Sequence, residues 1–164
     1  MKKVIICEKP SLAKLVVSFM DEKFEWKKSQ NSDKYTYCES PNYYVTFAFG
    51  HLFEAWDIED YTKDEGEWKM DILPFCPPNN HFFFKLKQKK NPKTGKKEVD
   101  PAIKLQFETI SRLINDPNTE GIIHCGDAGR EGEIIVRQII RNADKNNKPV
   151  VRLWFNAMTK ESFM

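Results

Sequence analysis

The stretch that most constrains the fold runs from Gly121 to Val136, where a short apolar run, Ile122-Ile123-His124-Cys125, breaks at Gly126 and restarts as a charged amphipathic segment. A short apolar run bounded by glycines suits a buried strand of a parallel sheet. After the break, Ile134, Ile135, Gln138, Ile139 and Ile140 return at helical spacing, which predicts a helix with Arg130 to Glu133 as its entry loop and first turn. A strand feeding a helix in this way belongs to an α/β sheet, and such sheets place ligands at the carboxyl ends of their strands. This turn carries Asp127, Arg130, Glu131 and Glu133, so chemistry is expected at the break.

The N-terminus repeats the pattern. Val4-Ile5-Ile6-Cys7 reads as a strand that stops at Glu8-Lys9-Pro10-Ser11, and Ser11 is the expected N-cap of a helix carrying Leu12, Leu15, Val16 and Phe19. Two such turns at one sheet edge would bring Glu8 and Lys9 to Asp127 and Glu131. Between them, Lys27 to Lys34 reads as a loop. Tyr35–Glu39 and Tyr43–Phe49 form an expected hairpin around Ser40-Pro41-Asn42. Glu54 to Glu67 reads as irregular, Leu73 to Pro78 as extended by its prolines, and His81 to Leu86 as a strand. Gln88 to Val99 is a lysine-rich loop holding Lys89, Lys90, Lys93, Lys96 and Lys97, preceded by Lys87; it is either a solvated hairpin tip or a phosphate contact. Ile103, Phe107, Ile110, Leu113 and Ile114 predict a helix from Pro101 to near Asn115, and Val150 to Trp154 a last strand. The expected order is β-α, a β-rich insertion over roughly residues 30–100, then α-β-α-β, all in one domain.

Composition narrows the class further. The chain has 164 residues, 30% charged and 40% apolar, with a formal net charge of +2, so overall charge announces no partner. Aromatic residues make up 13%, against disorder. The four cysteines form no Cys-x-x-Cys pair, so zinc ribbons and redox motifs are unsupported, and Cys7 and Cys125 read as small buried hydrophobes. No N-terminal apolar run reaches the length of a signal peptide or membrane span, and a cytoplasmic location is expected.

Carboxylates gathered at a sheet edge repel one another unless a cation neutralises them. Mg²⁺ is the natural candidate, because it takes hard oxygen ligands, needs only one or two protein carboxylates and leaves its other positions to water and phosphate. Asp127 and Glu131 can share one ion, with Gly126, Gly129 and Gly132 allowing close backbone approach and Lys9 and Arg130 facing a phosphate. First-turn acids are also ordinary complements of a helix dipole.

Together, Glu8-Lys9-Pro10-Ser11-Leu12-Ala13-Lys14 and Asp127-Ala-Gly-Arg-Glu-Gly-Glu133 resemble the Toprim domain of type IA DNA topoisomerases, particularly the topoisomerase III branch. The resemblance extends to Ala48-Phe-Gly-His-Leu52, to Trp68 with Leu73-Pro74, and to Arg152-Leu-Trp-Phe-Asn156 with Thr159. It implies a Toprim, Rossmann-like fold with a mostly parallel sheet flanked by helices. It implies Glu8 as the acid-base glutamate near a scissile phosphate and Lys9 as a phosphate contact. Asp127 and Glu131 match the first and third acids of the family's Asp-x-Asp-x-Glu magnesium motif, while Gly129 stands in the place of the second. Glu133 is a candidate substitute, although a step of two residues on a helix points it away from Glu131. His51 and Arg152 are candidate DNA contacts, or else a capping or core histidine and a salt-bridging arginine. Trp56, Trp68 and Trp154 read as core rather than as base-stacking platforms.

The family's nucleophilic tyrosine lies in a further domain, and Tyr35, Tyr37, Tyr43, Tyr44 and Tyr61 do not sit in its motif. The chain therefore reads as the N-terminal part of a longer enzyme, a monomer and inactive alone, with single-stranded DNA and the downstream domains as partners. Two alternatives stand beside this: a primase- or nuclease-like Toprim protein, and a non-enzymatic module binding a nucleotide or anion.

Overall fold

The computed structural model describes residues 1–30, 32–62, 70–154, 157 and 159–163, with nothing said of the side chain at position 72. Trp68, Phe155 and Asn156 lie outside the described residues. The chain opens with β1 (Lys2–Cys7) and α1 (Pro10–Phe19). Lys9, not Ser11, is the N-cap of α1, because Pro10 takes the first helical position, where a missing N–H costs nothing.

β2 (Glu25–Lys28) occupies the start of the expected 27–34 loop and pairs antiparallel with β3 (Tyr35–Glu39), Trp26 opposite Cys38. Its lysines hid it: this is an edge strand, and charged edges are common because they discourage pairing with other chains. β3 forms the expected hairpin with β4 (Tyr43–Phe47). The segment expected to be irregular contains β5 (Phe53–Ala55) and α2 (Ile58–Thr62). β6 (Phe84–Leu86) is shorter than expected and pairs with β5. β7 (Gln88–Lys90) and β8 (Lys97–Val99) make a lysine-rich hairpin. There follow α3 (Pro101–Asn115), capped by the Asp100 side chain on the Ala102 amide, then β9 (Thr119–Cys125), α4 (Arg130–Ala143), β10 (Val150–Arg152) and α5 (Lys160–Phe163).

The main sheet has six strands in the order β10-β9-β1-β4-β3-β2. The first four run parallel, and β3 and β2 turn antiparallel. The β-rich stretch after α1 is thus partly woven into the sheet, with β4 seated against β1, Ile5 opposite Val45. Alternation along β1 divides the core. Val4 and Ile6 face α3 and α4 with Ile110, Leu113, Ile135 and Ile139, whereas Ile5 and Cys7 face α1 with Leu12, Ala13 and Val16. This is an α/β layered fold with a mostly parallel sheet.

Cys7, Cys38 and Cys125 are fully buried and unpaired, as expected of small hydrophobes. Burial pushes the Cys7 thiol well up and that of Cys38 to about 12, so neither is a nucleophile. Trp154 departs from the core expectation: it is 57% exposed and lies under the Arg152 guanidinium at 5.0 Å. Trp56 is half-buried against Tyr61 and Phe83. Among the described residues, no helix is long and apolar enough to cross a membrane.

Candidate active site

Because β10, β9, β1 and β4 are parallel neighbours, their carboxyl ends share one edge, and each delivers a loop to it. Cys7 pairs with Cys125, so the turns that follow them lie side by side. Lys9 Nζ stands 2.5 Å from Asp127 Oδ2, and the Asp127 amide donates to Glu8 Oε2 at 3.2 Å. The hydrogen bond to Asp127 holds the Lys9 ammonium above its usual range, with burial opposing. Glu8, Lys9 and Asp127 meet as the sequence predicts. Asp127 Oδ1 is buried with no partner among the described residues.

β4 brings the third loop. Ala48 N–H donates to Cys7 O and Gly50 N–H to Glu8 O, which ties this loop to the β1 turn. Gly50 has φ +76, and the turn sets His51 Nε2 2.7 Å from Glu131 Oε2. Glu131 is thus at the edge but with His51, and its side chain is 74% exposed. Arg130 is exposed, and no described residue pairs with its guanidinium.

The glycines serve packing more than ligand approach. A Cβ on Gly126 would meet Gly132 O at 2.3 Å, and one on Gly132 would meet Asp127 N and O at 2.5 Å and Glu8 Oε2 at 2.8 Å. The first turn of α4 therefore rests directly on the strand-end turn, with Glu8 against it. Around Gly129 there is open space, so of these three glycines it alone is free to face a ligand.

Glu133 and Arg152 turn inward. Arg152 Nε donates to Glu133 Oε2 at 2.9 Å, its Nη1 to the carbonyls of His124 (3.2 Å) and Gly126 (3.1 Å), and its Nη2 to Asp127 O at 3.1 Å. The guanidinium thereby pins the turn that carries Asp127. Arg137 also holds Glu133. Burial works against it, but Arg137 and Arg152 together keep the Glu133 carboxyl below its usual range. Glu133 is thus committed to cations of the protein itself.

Sequence reasoning missed His124. It is 1% exposed in β9, its Nδ1 accepts from the Gly126 amide at 3.3 Å, and its Nε2 faces Glu133 O at 3.3 Å and Glu133 Oε2 at 3.4 Å. Burial, with Arg152 nearby, presses its pKa down, so the neutral ring with the proton on Nε2 fits these contacts. The available signal was a histidine inside an apolar run, whose ring nitrogens must find partners when buried.

The donor set suits Mg²⁺ in kind: hard carboxylate oxygens at a wet edge, with Asp127 Oδ1 buried and unsatisfied. Among the described residues, however, no three of His, Cys, Asp and Glu gather closely enough to hold an ion by themselves. Lys9 occupies the other Asp127 oxygen, and His51 occupies Glu131. The arrangement fits an ion held by one or two carboxylates and completed by water or phosphate.

Residues 3–158 match the family model described as the Toprim domain. The chain is 34% identical over 162 residues to the DNA topoisomerase 3 of Staphylococcus haemolyticus (strain JCSC1435), and equally so to that of Staphylococcus aureus (strain USA300). These matches cover 99% of this chain and 19% of each relative. The shared strand-end edge, the acids on it and the match along nearly the whole length agree, and the chain belongs to the Toprim domain family.

Proposed function

We propose that this chain supplies the acid-base and Mg²⁺-binding half of a type IA topoisomerase site that cuts and rejoins one DNA strand. The observation that carries this reading is the seating of Glu8 and Lys9 against Asp127 across the β1–β9 pair. Glu8 is the proton-transfer group, oriented by the Asp127 amide and walled by Gly132. Lys9 and Arg130 contact phosphate: Lys9 by moving from Asp127, Arg130 from an already open position. Asp127 and Glu131, with Glu8 beside them, are the candidate Mg²⁺ ligands, and Glu133 serves to hold Arg152. Bound there, Mg²⁺ would neutralise charge on the phosphate and its neighbours. Arg152 positions the Asp127 turn rather than reaching out to DNA, and His51 orients Glu131. Single-stranded DNA and the remainder of a longer polypeptide, which supplies the attacking tyrosine, are the proposed partners. The proposed location is the cytoplasm, where that substrate lies.

The test is Glu8→Gln in the longer protein. Strand cleavage is expected to fall by about 100-fold or more, the usual contribution of a positioned acid or base, with single-strand binding nearly unchanged. Cleavage at the wild-type rate across the pH range would overturn the assignment. The 164-residue chain alone is expected not to relax supercoiled DNA. Metal-dependent nicking by it would favour a nuclease-like activity instead.

A further inference from the structure

A basic hairpin is rooted beside the strand-end edge. Lys87 N–H donates to Leu52 O at 2.9 Å, one residue beyond His51, and Gln88 N–H donates to Glu54 Oε1 at 3.1 Å. Its tip is built rather than loose. Asn91 N–H donates to Lys96 O and Gly95 N–H to Asn91 O, both at 2.8 Å, while Asn91 Oδ1 accepts from Lys93 N–H at 2.9 Å. Gly95 closes the turn at φ +71, a conformation that suits glycine.

The lysines sort into two sets. One set is neutralised: Lys85 by Asp60, Lys89 by Asp100 at 3.1 Å, and Lys97 by Asp57 at 3.4 Å and Glu59 at 3.5 Å. Those at the tip, Lys90, Lys93 and Lys96, are exposed, and none has an acidic partner among the described residues. Lys90 stands directly opposite Lys97, a like-charge pairing that costs stability, and the acids lie on Lys97 alone. A rigid turn that holds three unpaired ammonium groups is a surface for a polyanion. Lysine stems without an apolar anchor suit regularly spaced phosphates better than a folded protein partner.

We propose that the tip of the β7–β8 hairpin is a nucleic-acid backbone site, in which Lys90, Lys93 and Lys96 hold phosphates of the strand that reaches Glu8 and Asp127. The assignment rests on the DNA reading given above, yet it is tested without cleavage. Binding of a dye-labelled oligothymidylate to the 164-residue chain is measured by anisotropy over a range of salt concentrations. Each phosphate contact with a single strand contributes about 0.7 to the slope of log K against log salt. The triple variant K90Q/K93Q/K96Q should therefore have a slope shallower by about 2 and bind roughly 100-fold more weakly at 0.1 M salt. The corresponding triple arginine variant should keep the slope. Because all three side chains are exposed and Lys90 faces Lys97, the melting temperature should not fall, which separates lost contacts from lost folding. A duplex of the same length forms the second arm: tighter binding to it, with a slope change of nearly 3, would assign the phosphates to paired DNA rather than to an unpaired strand. A glutamine variant with the wild-type slope, or a wild-type chain without salt-dependent binding, would overturn the proposal. Neither result touches the role of Glu8, which is judged by cleavage in the longer protein.

Discussion

Arg152 shows how one side chain fixes a turn it does not belong to. It ends β10 yet bonds the carbonyls of His124, Gly126 and Asp127 and the carboxylate of Glu133. Truncation would leave those acceptors unmatched with the side-chain site only 20% exposed, so Arg152→Ala should cost about 3 kcal/mol in urea unfolding. Arg152→Lys should recover only part of this, since an ammonium cannot reproduce the planar fork. Its neighbour His124 gives a pH signature. Burial, and Arg152 beside it, lower its folded pKa, so below about pH 6.5 the unfolded chain takes up a proton that the folded chain resists. The stability from the neutral ring is present above that pH and is lost as pH falls toward the folded value. The urea midpoint should therefore drop between about pH 7 and pH 5, before the lowered carboxyls of Glu133, Asp60 and Asp100 begin to protonate. In His124→Gln that part of the slope should vanish; an unaltered slope would refute the assignment.

The contact between α4 and the turn after β9 is the joint on which the site depends. Gly126 and Gly132 meet backbone to backbone, closer than any Cβ allows. Gly132→Ala must push α4 off the Asp127 backbone and Glu8 aside, at a cost of about 1–3 kcal/mol for overpacking. It should also weaken any Mg²⁺-dependent rise in melting temperature, because Glu8 and Asp127 move with it. Gly129→Ala meets open space and should leave stability almost unchanged, so the pair of variants separates packing from composition. The sequence shows Gly126 and Gly132 as glycines near a ligand, but the approach that requires them is between two parts of the chain, which no local pattern reveals. The same limit applied elsewhere. β1, β9 and the helices α3 and α4 were legible because burial writes a period into the residues. β2 was not, since an edge strand with lysines carries no such period, and neither was the commitment of β4 to the centre of the sheet, which is a long-range choice of partner.

At the scale of the molecule, four parallel strand ends bring to one edge residues that the chain keeps far apart. The meeting of Glu8 and Lys9 with Asp127 was legible, because two strand-turn-helix units in one parallel sheet must share an edge. What occupies each acid was not legible, because Lys9 on Asp127, His51 on Glu131 and Arg152 on Glu133 follow from side-chain reach across strands. That occupancy sets what the proposed Mg²⁺ would meet. On the proposed assignment, a divalent ion at Asp127 would compete with the Lys9 ammonium, and its affinity would be limited by a cation already in place. Ligand-linked stabilisation is about 1.4 kcal/mol at ten times the dissociation constant, which for a chain of this size raises the melting temperature by about 3–5 °C. Titration with Mg²⁺ should produce a rise of this order in the wild-type chain and none in Asp127→Asn. In Lys9→Ala the competing charge is gone, so the midpoint of the same titration should shift to lower metal concentration, while a longer single-stranded oligonucleotide binds more weakly by about one phosphate contact. If instead Lys9→Ala abolishes the metal response, Lys9 is a structural part of the ion site and not its competitor. The melting curves of the three proteins with and without Mg²⁺ decide between the two.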